Sequence, residues 1–233
     1  MTQPTPMLTG SDDGAFNPTQ IPGCVLWLAA DKMGLADGAA VAQWSDLSGR
    51  GNHAVQATVA KRPVFNLAQL NGLPGLTFSN ANLTNLVSTF AATVAQPSTY
   101  FLVARHDGPV NTMFFDGNAS GHNTFYIDPS NALALYAGLS PAGGAITSPT
   151  GYHVWEVIFN GAASASYRDG IVVQSNINPG AQGVTGLNIG TYGGLQAMTG
   201  VINEMTVHQG LKSPSERAAI RAYLGSKYAI GVS

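Results

Sequence analysis

Charge is what this sequence has least of. Only 9% of its 233 residues are Asp, Glu, Lys or Arg, against about 25% in an average soluble domain. Its surface must therefore be built from Gly, Ala, Ser, Thr and Asn, groups that hydrogen-bond water without attracting ions. A formal net charge of -2 and the lack of any Lys/Arg cluster leave no field that would draw in nucleic acid or an anionic membrane. Cysteine is equally scarce. With Cys24 alone no intrachain disulfide can form, and packing must hold the fold. No apolar run reaches membrane-spanning length, so membrane insertion is not expected. The stretch before Lys32, the first basic residue, has no basic segment followed by an apolar one, and no signal peptide is read there. Internal repeats of solenoid or propeller length are also missing.

What is present is a rhythm of short β-rich runs separated by turn residues. They cover Val25 to Leu28, Val41 to Trp44, Thr99 to Arg105, Met113 to Phe115, Thr124 to Ile127, His153 to Phe159 and Ile171 to Gln174. Such spacing predicts a sandwich or barrel. Asp169-Gly170 lies between two alternating runs, and Asp-Gly supplies the positive φ angles of a two-residue type I′ hairpin. Val201 to His208 alternates like a strand crossing the sandwich, with Val201, Asn203, Met205 and Val207 on one face. One sizeable helix is expected, from about 213 to 228. Ser213-Pro214-Ser215-Glu216 reads as N-cap, N1 proline and capping-box Glu. Ile220, Tyr223, Leu224 and Tyr228 make its apolar stripe, while Arg217, Arg221 and Lys227 are expected to reach solvent. The fold class is thus all-β, a two-sheet antiparallel jelly-roll sandwich with one C-terminal helix packed on it. Residues 1–20 combine Pro4, Pro6, Gly10, Gly14 and Pro18 with little apolar periodicity, which reads as an extended N-terminal arm before a domain over 21–233.

Several segments together resemble a known family. They are Cys24-Val-Leu-Trp-Leu-Ala-Ala-Asp31, Val41-Ala-Gln-Trp-Ser-Asp-Leu-Ser-Gly-Arg-Gly-Asn-His-Ala54, Lys61-Arg-Pro-Val-Phe65, Leu187-Asn-Ile-Gly190 and Gly200-Val-Ile-Asn-Glu204. In order and spacing they are similar to the concanavalin A-like jelly rolls with laminin G-like sequence, of the kind found in phage virion proteins and bacterial surface proteins. The spacing of Trp44, Asp46, Ser48-Gly49 and Gly51-Asn52 is the most specific part. The resemblance implies two sheets packed face to face, used for glycan or protein binding, in some relatives with calcium at the sandwich rim. The chain carries Ala29 where many relatives are acidic, so no metal is expected at that strand end.

Candidate chemistry narrows quickly. A retaining glycanase needs two carboxylates about 5 Å apart, and relatives with that activity carry them on alternate residues of one strand. The chain has only Glu156, Glu204 and Glu216. Glu216 is committed to capping, and Glu156 lies inside an apolar run. Glu204 and His208 share a strand face at a separation of about 13 Å, too far for one ion, and Glu204 is read as a structural partner of a loop or a basic side chain. His53, His106, His122, His153 and His208 lack metal-ligand spacing. Asp116-Gly117-Asn118, and Asp46 with Asn52, offer the oxygens that calcium accepts, although the same pairs are ordinary turn chemistry. Asp116 and Asn118 are the metal candidates. Sugar binding needs an aromatic face beside hydrogen-bonding groups. Tyr192 in Gly190-Thr-Tyr-Gly-Gly194 fits a loop tip, and Tyr126 with Asp128, and His122 with Asn123, would line another. Trp27, Trp44 and Trp155 sit in alternating runs, where a large aromatic fills core.

A low-charge, Gly-rich surface suits the outside of a cell, yet no export signal is visible. A virion protein released by lysis reconciles the two. The expected function is a non-enzymatic phage virion structural protein, a capsid decoration or tail component. It would display the jelly roll to host-surface glycans, with itself as homo-oligomer and other virion proteins as partners. Met7, Leu8, Phe16 and Ile21 would be the gripped side chains of an assembly arm, the alternative being an arm that folds back on its own sandwich and pairs with an edge strand. The alternative is a carbohydrate-binding module of a bacterial surface protein, and a glycan-cleaving enzyme ranks last.

Overall fold

The computed structural model describes residues 16–108, 111–118, 121–139, 142–147 and 150–233. Its first strands are β1 (Cys24–Ala29), β2 (Gln43–Trp44), β3 (Ala54–Val55), β4 (Val64–Leu70), β5 (Leu73–Phe78), β6 (Leu86–Val94), β7 (Ser98–His106) and β8 (Thr112–Gly117). There follow β9 (Thr124–Ile127), β10 (Ala132–Tyr136), β11 (Ala142–Thr147), β12 (Tyr152–Phe159), β13 (Ser164–Arg168), β14 (Ile171–Ile177), β15 (Val184–Ile189), β16 (Gly200–Gln209) and helix α1 (Pro214–Tyr228). The first sheet runs β14-β13-β12-β7-β16-β5-β4, with β1 paired to the second half of β16. The second runs β11-β10-β9-β8-β15-β6-β3-β2. All strand pairs within both sheets are antiparallel. This is the jelly-roll sandwich with one C-terminal helix that the β rhythm predicts.

Between the sheets lies one aromatic-rich core. Tyr100 stacks on Phe115 and Phe114 on Phe125, each pair at 4.9 Å, and Trp155 lies 5.5 Å from Phe125. Trp44 and Trp155 are buried, as core tryptophans should be. At the β13–β14 hairpin, Asp169 and Gly170 take φ of 54° and 85°, the left-handed pair that a type I′ turn requires. One expected face shifts. The register of β16 against β7 slips between Ile202 and Glu204, so Asn203 is the extra residue of a bulge and donates its Nδ2 to the Pro74 carbonyl at 2.8 Å. Ile202, Met205 and Val207 enter the inter-sheet core, and Val201 and Asn203 do not. A bulge reverses the alternation that period-two reading carries through it.

The segment after β2 is stapled to β1 by one carboxylate. Asp46 Oδ1 accepts from the Trp27 and Ser48 amides at 3.0 and 2.9 Å, and Oδ2 accepts from the Asn52 amide at 2.9 Å and the Ser48 hydroxyl at 2.7 Å. Asn52 Nδ2 completes the staple on the Val25 carbonyl at 2.7 Å. The spacing from Trp44 to Asn52 thus reflects hydrogen-bond satisfaction, and Asp46 and Asn52 are committed to it.

Helix α1 starts as expected. Ser213 Oγ accepts from the Glu216 amide at 3.3 Å, and Glu216 Oε2 accepts from the Ser213 amide at 2.7 Å. Ile220, Leu224 and Tyr228 pack on Phe101, Val103 and Val154 of the first sheet. Arg217, Arg221 and Lys227, expected in solvent, instead reach under the helix. Glu156 is fully buried there and accepts from Arg217 Nε and, at 2.7 Å, from Arg221 Nη1. Glu204, also fully buried, accepts from Trp27 Nε1, Tyr223, Tyr228 and Lys227, all between 2.7 and 2.9 Å. Buried carboxylates demand charged partners, and the helix supplies them. Of the proposed arm residues, Phe16 and Ile21 pack into this same helix–sheet cluster, the Phe16 ring 5.8 Å from that of Tyr223. Met7 and Leu8 lie outside the described residues.

Candidate functional site

Alternation along the second sheet sends Phe125, Ile127, Leu133 and Leu135 into the core. It sends Thr124, Tyr126, Ala134 and Tyr136 to the opposite, outer face. There Met113, Tyr126 and Ala134 form a small separate apolar cluster with Tyr136 and Tyr192 against it. Asp116 and Asn188 face each other across β8 and β15 on the same side. The site is therefore a sheet face, with loops raised over it.

Two loops supply its walls. The first follows β8 and returns so tightly that a Cβ on Gly117 would stand 1.9 Å from the Gly121 carbonyl oxygen. That closeness brings His122 back over Asp116, with Nδ1 3.2 Å from both carboxylate oxygens. Thr124 Oγ1 donates to Asp116 Oδ1 at 2.5 Å, and Gln182 Oε1 holds the His122 amide at 3.0 Å. The second loop is a two-residue hairpin over Gly193-Gly194, with φ of 53° and 83°, closed by reciprocal Tyr192–Leu195 backbone bonds of 2.9 and 2.7 Å. It sets the Tyr192 ring parallel to His122, centroids 5.5 Å apart and planes 10° from parallel. Tyr136 lies on the imidazole at 5.1 Å.

The result is a groove of two compartments sharing Tyr192. One, about 300 Å³, is lined by Met113, Tyr126, Tyr136, Thr124, Asn111 and Gln196. The other, about 360 Å³, is lined by Asp116, Asn118, His122, Asn188 and glycine backbone. Burial pushes the Asp116 carboxyl above its ordinary range, and the hydrogen bonds from Thr124 and His122 pull it only part of the way back. Burial, with Asp128 and Tyr136 nearby, pushes the Tyr126 phenol up to about 12, and burial raises Tyr192 as well. Both phenols are hydrogen-bond donors at neutral pH. Chemically, the groove offers aromatic faces beside amide and hydroxyl donors and acceptors and one buried carboxyl, Asp116.

The structure brings Tyr126, His122, Tyr192, Asp116 and Asn118 together, although the sequence reading placed them in separate loops. Asp128 stands apart. Its Oδ1 accepts from the Ser130 and Ala132 amides at 2.8 and 2.9 Å, closing the β9–β10 turn. Asn123 turns inward and lies buried 2.8 Å from the Tyr100 hydroxyl. Tyr136, Met113, Gln196 and Asn188 were not singled out. The alternation of Ala132-Leu-Ala-Leu-Tyr136 was the available signal for Tyr136. As for calcium, the Asp116 oxygens face Thr124 and His122, and among the described residues no three His, Cys, Asp or Glu side chains gather to hold a metal ion. The residues present do not fit the calcium that the resemblance implies.

No protein-family model matches this chain, and no curated protein sequence matches it. Solved structures do share its fold. Trypanosoma rangeli sialidase matches with a TM-score of 0.55 at 14% identity over 91% of this chain and 34% of its own. Domain 4 of AbnA, a GH43 extracellular arabinanase from Geobacillus stearothermophilus solved with arabinotriose, matches with 0.59 at 14% over 83% and 96%. A GH54 α-L-arabinofuranosidase matches with 0.57 at 13% over 81% and 51%. The chain thus spans about a third of the sialidase and nearly all of the arabinanase domain. These likenesses establish the β-sandwich fold.

Proposed function

We propose that this chain is a non-catalytic glycan-binding jelly roll of the laminin G-like type, displayed on a phage virion as a capsid decoration or tail component. One observation carries the binding reading: the His122–Tyr192 stack stands over a groove whose other walls include Tyr126, Tyr136, the amides of Asn111, Asn118, Asn188 and Gln196, and Asp116. Sugars present apolar ring faces and a rim of hydroxyls, and this pairing of platform and polar groups suits them. The Trp44–Asn52 staple, with its order and spacing, supports the laminin G-like assignment. The non-catalytic reading rests on Glu156 and Glu204, which lie across the sandwich from the groove and are locked in ion networks. Display on a virion rests on the sparsely charged sequence, with self-association and other virion proteins as partners; Phe16 and Ile21, packed on this chain's own helix and sheet, are not part of an arm gripped by a neighbour. A carbohydrate-binding module of a bacterial surface protein is the second reading, favoured by the likeness to a glycosidase domain solved with arabinotriose.

A glycan array, with arabinotriose among its ligands, tests the binding reading. Retained glycans should lose about tenfold in affinity with Tyr192→Ala, the scale of one aromatic contact. Retention that Tyr192→Ala and His122→Ala both leave unchanged would place binding elsewhere. Release of reducing ends from any array polysaccharide would overturn the non-catalytic reading.

A further inference from the structure

We propose that the groove selects uncharged glycans and rejects anionic ones, namely sialylated, uronate-containing or sulfated sugars. This rests on the glycan reading of the same groove. Proteins hold anionic ligands with Arg, Lys or a helix N-terminus, and the groove has none of these. The sequence contains no Lys or Arg between Arg105 and Arg168, and none between Arg168 and Lys212. Every residue lining the two compartments falls inside those stretches. Arg105 belongs to the first sheet and pairs with Asp107 at 2.7 Å. Among the described residues the one α-helix packs on the first sheet, across the sandwich from the groove.

The groove has an acidic group instead. Among the described residues Asp116 is its one lining carboxylate, and its side chain is 3% exposed. Anionic ligands would be lowered onto a poorly solvated carboxylate whose nearest countering group is a histidine. The remaining polar groups, Asn111, Asn118, Asn188, Gln196 and the tyrosine hydroxyls, are neutral and suit sugar hydroxyls. Because two compartments meet at Tyr192, the fitting ligand is an oligosaccharide of at least two units.

Matched pairs of immobilised oligosaccharides test this: lactose with and without sialic acid, and a xylo-oligosaccharide with and without a glucuronic acid branch. Ligands whose retention falls with Tyr192→Ala should be neutral, with the anionic member of each pair at least about tenfold weaker. Asp116→Asn should narrow that gap, and added salt, which barely screens so buried a carboxylate, should leave anionic retention no weaker in the unmodified protein. The salt arm stands even if the variant does not fold. A Tyr192-dependent preference for the anionic member, or anionic binding weakened by salt, would overturn the inference and leave the glycan reading standing. Failure of every glycan to show Tyr192 dependence would overturn both.

Discussion

His208 offers a quantitative test of the helix–sheet interface. It is fully buried on β16 beneath α1, and among the described residues neither ring nitrogen has a hydrogen-bond partner. Burial, reinforced by Lys212, lowers its pKa from 6.5 to about 4. The folded state therefore binds a proton less readily than the unfolded chain. Above pH 6.5 the ring is neutral in both states and contributes nothing. As pH falls from 6.5 towards 4, the unfolded chain takes up a proton that the folded chain refuses, and stability drops. A shift of this size amounts to roughly 3 kcal/mol, a large fraction of the 5–15 kcal/mol total expected of a domain. Urea unfolding of the wild type and of His208→Leu, followed at pH 7.5, 6, 5 and 4, isolates the term by difference, because other titrating groups cancel. The wild type should lose about 3 kcal/mol relative to the variant across that range. Parallel stability curves for the two proteins would refute the assignment of a buried, neutral His208.

Other substitutions probe separate parts of the structure. Glu156→Gln strands Arg217 and Arg221 beneath the helix and should cost about 3–5 kcal/mol in urea unfolding; a loss under 1 kcal/mol would mean that solvent serves those cations equally well. Ser213→Ala removes the N-cap of α1 and should cost about 1 kcal/mol, read as a lowered melting temperature with glycan retention unchanged. Gly117→Ala forces a methyl group against the Gly121 carbonyl. It should displace His122, weaken any groove ligand about tenfold and lower the melting temperature, whereas an unchanged affinity would show that the tight return does not set the His122 position.

Much of the fold was legible because its signals are local. The Asp169-Gly170 turn and the Ser213–Glu216 cap are short-range chemistry, and the structure places both where the sequence does. What failed depends on long-range context. The bulge at Asn203 is invisible to alternation, since only the pairing of β16 with β7 reveals the slip. Arg217, Arg221 and Lys227 look like surface charges on a helical wheel until Glu156 and Glu204 are placed beneath them. The groove was half legible. Tyr192 and His122 were found from loop composition, but their stacking depends on two loops some seventy residues apart, and Tyr136 was hidden in an alanine-rich strand. Asp128 shows the converse error, since a turn aspartate near a tyrosine looks like a site until its amide partners are seen.

Glycan binding in the outer-face groove is the central claim, and nitrogen-15 chemical-shift mapping with a neutral oligosaccharide selected from the array tests it most directly. The account expects the largest shifts at residues 111–118 and 121–126, at Tyr136 and at 188–196, the segments that supply the lining of the two compartments. Shifts confined to another cavity, such as that of about 470 Å³ around Arg50, Asn52 and Phe90 or that of about 500 Å³ around Phe16, Tyr223 and Lys227, would contradict it.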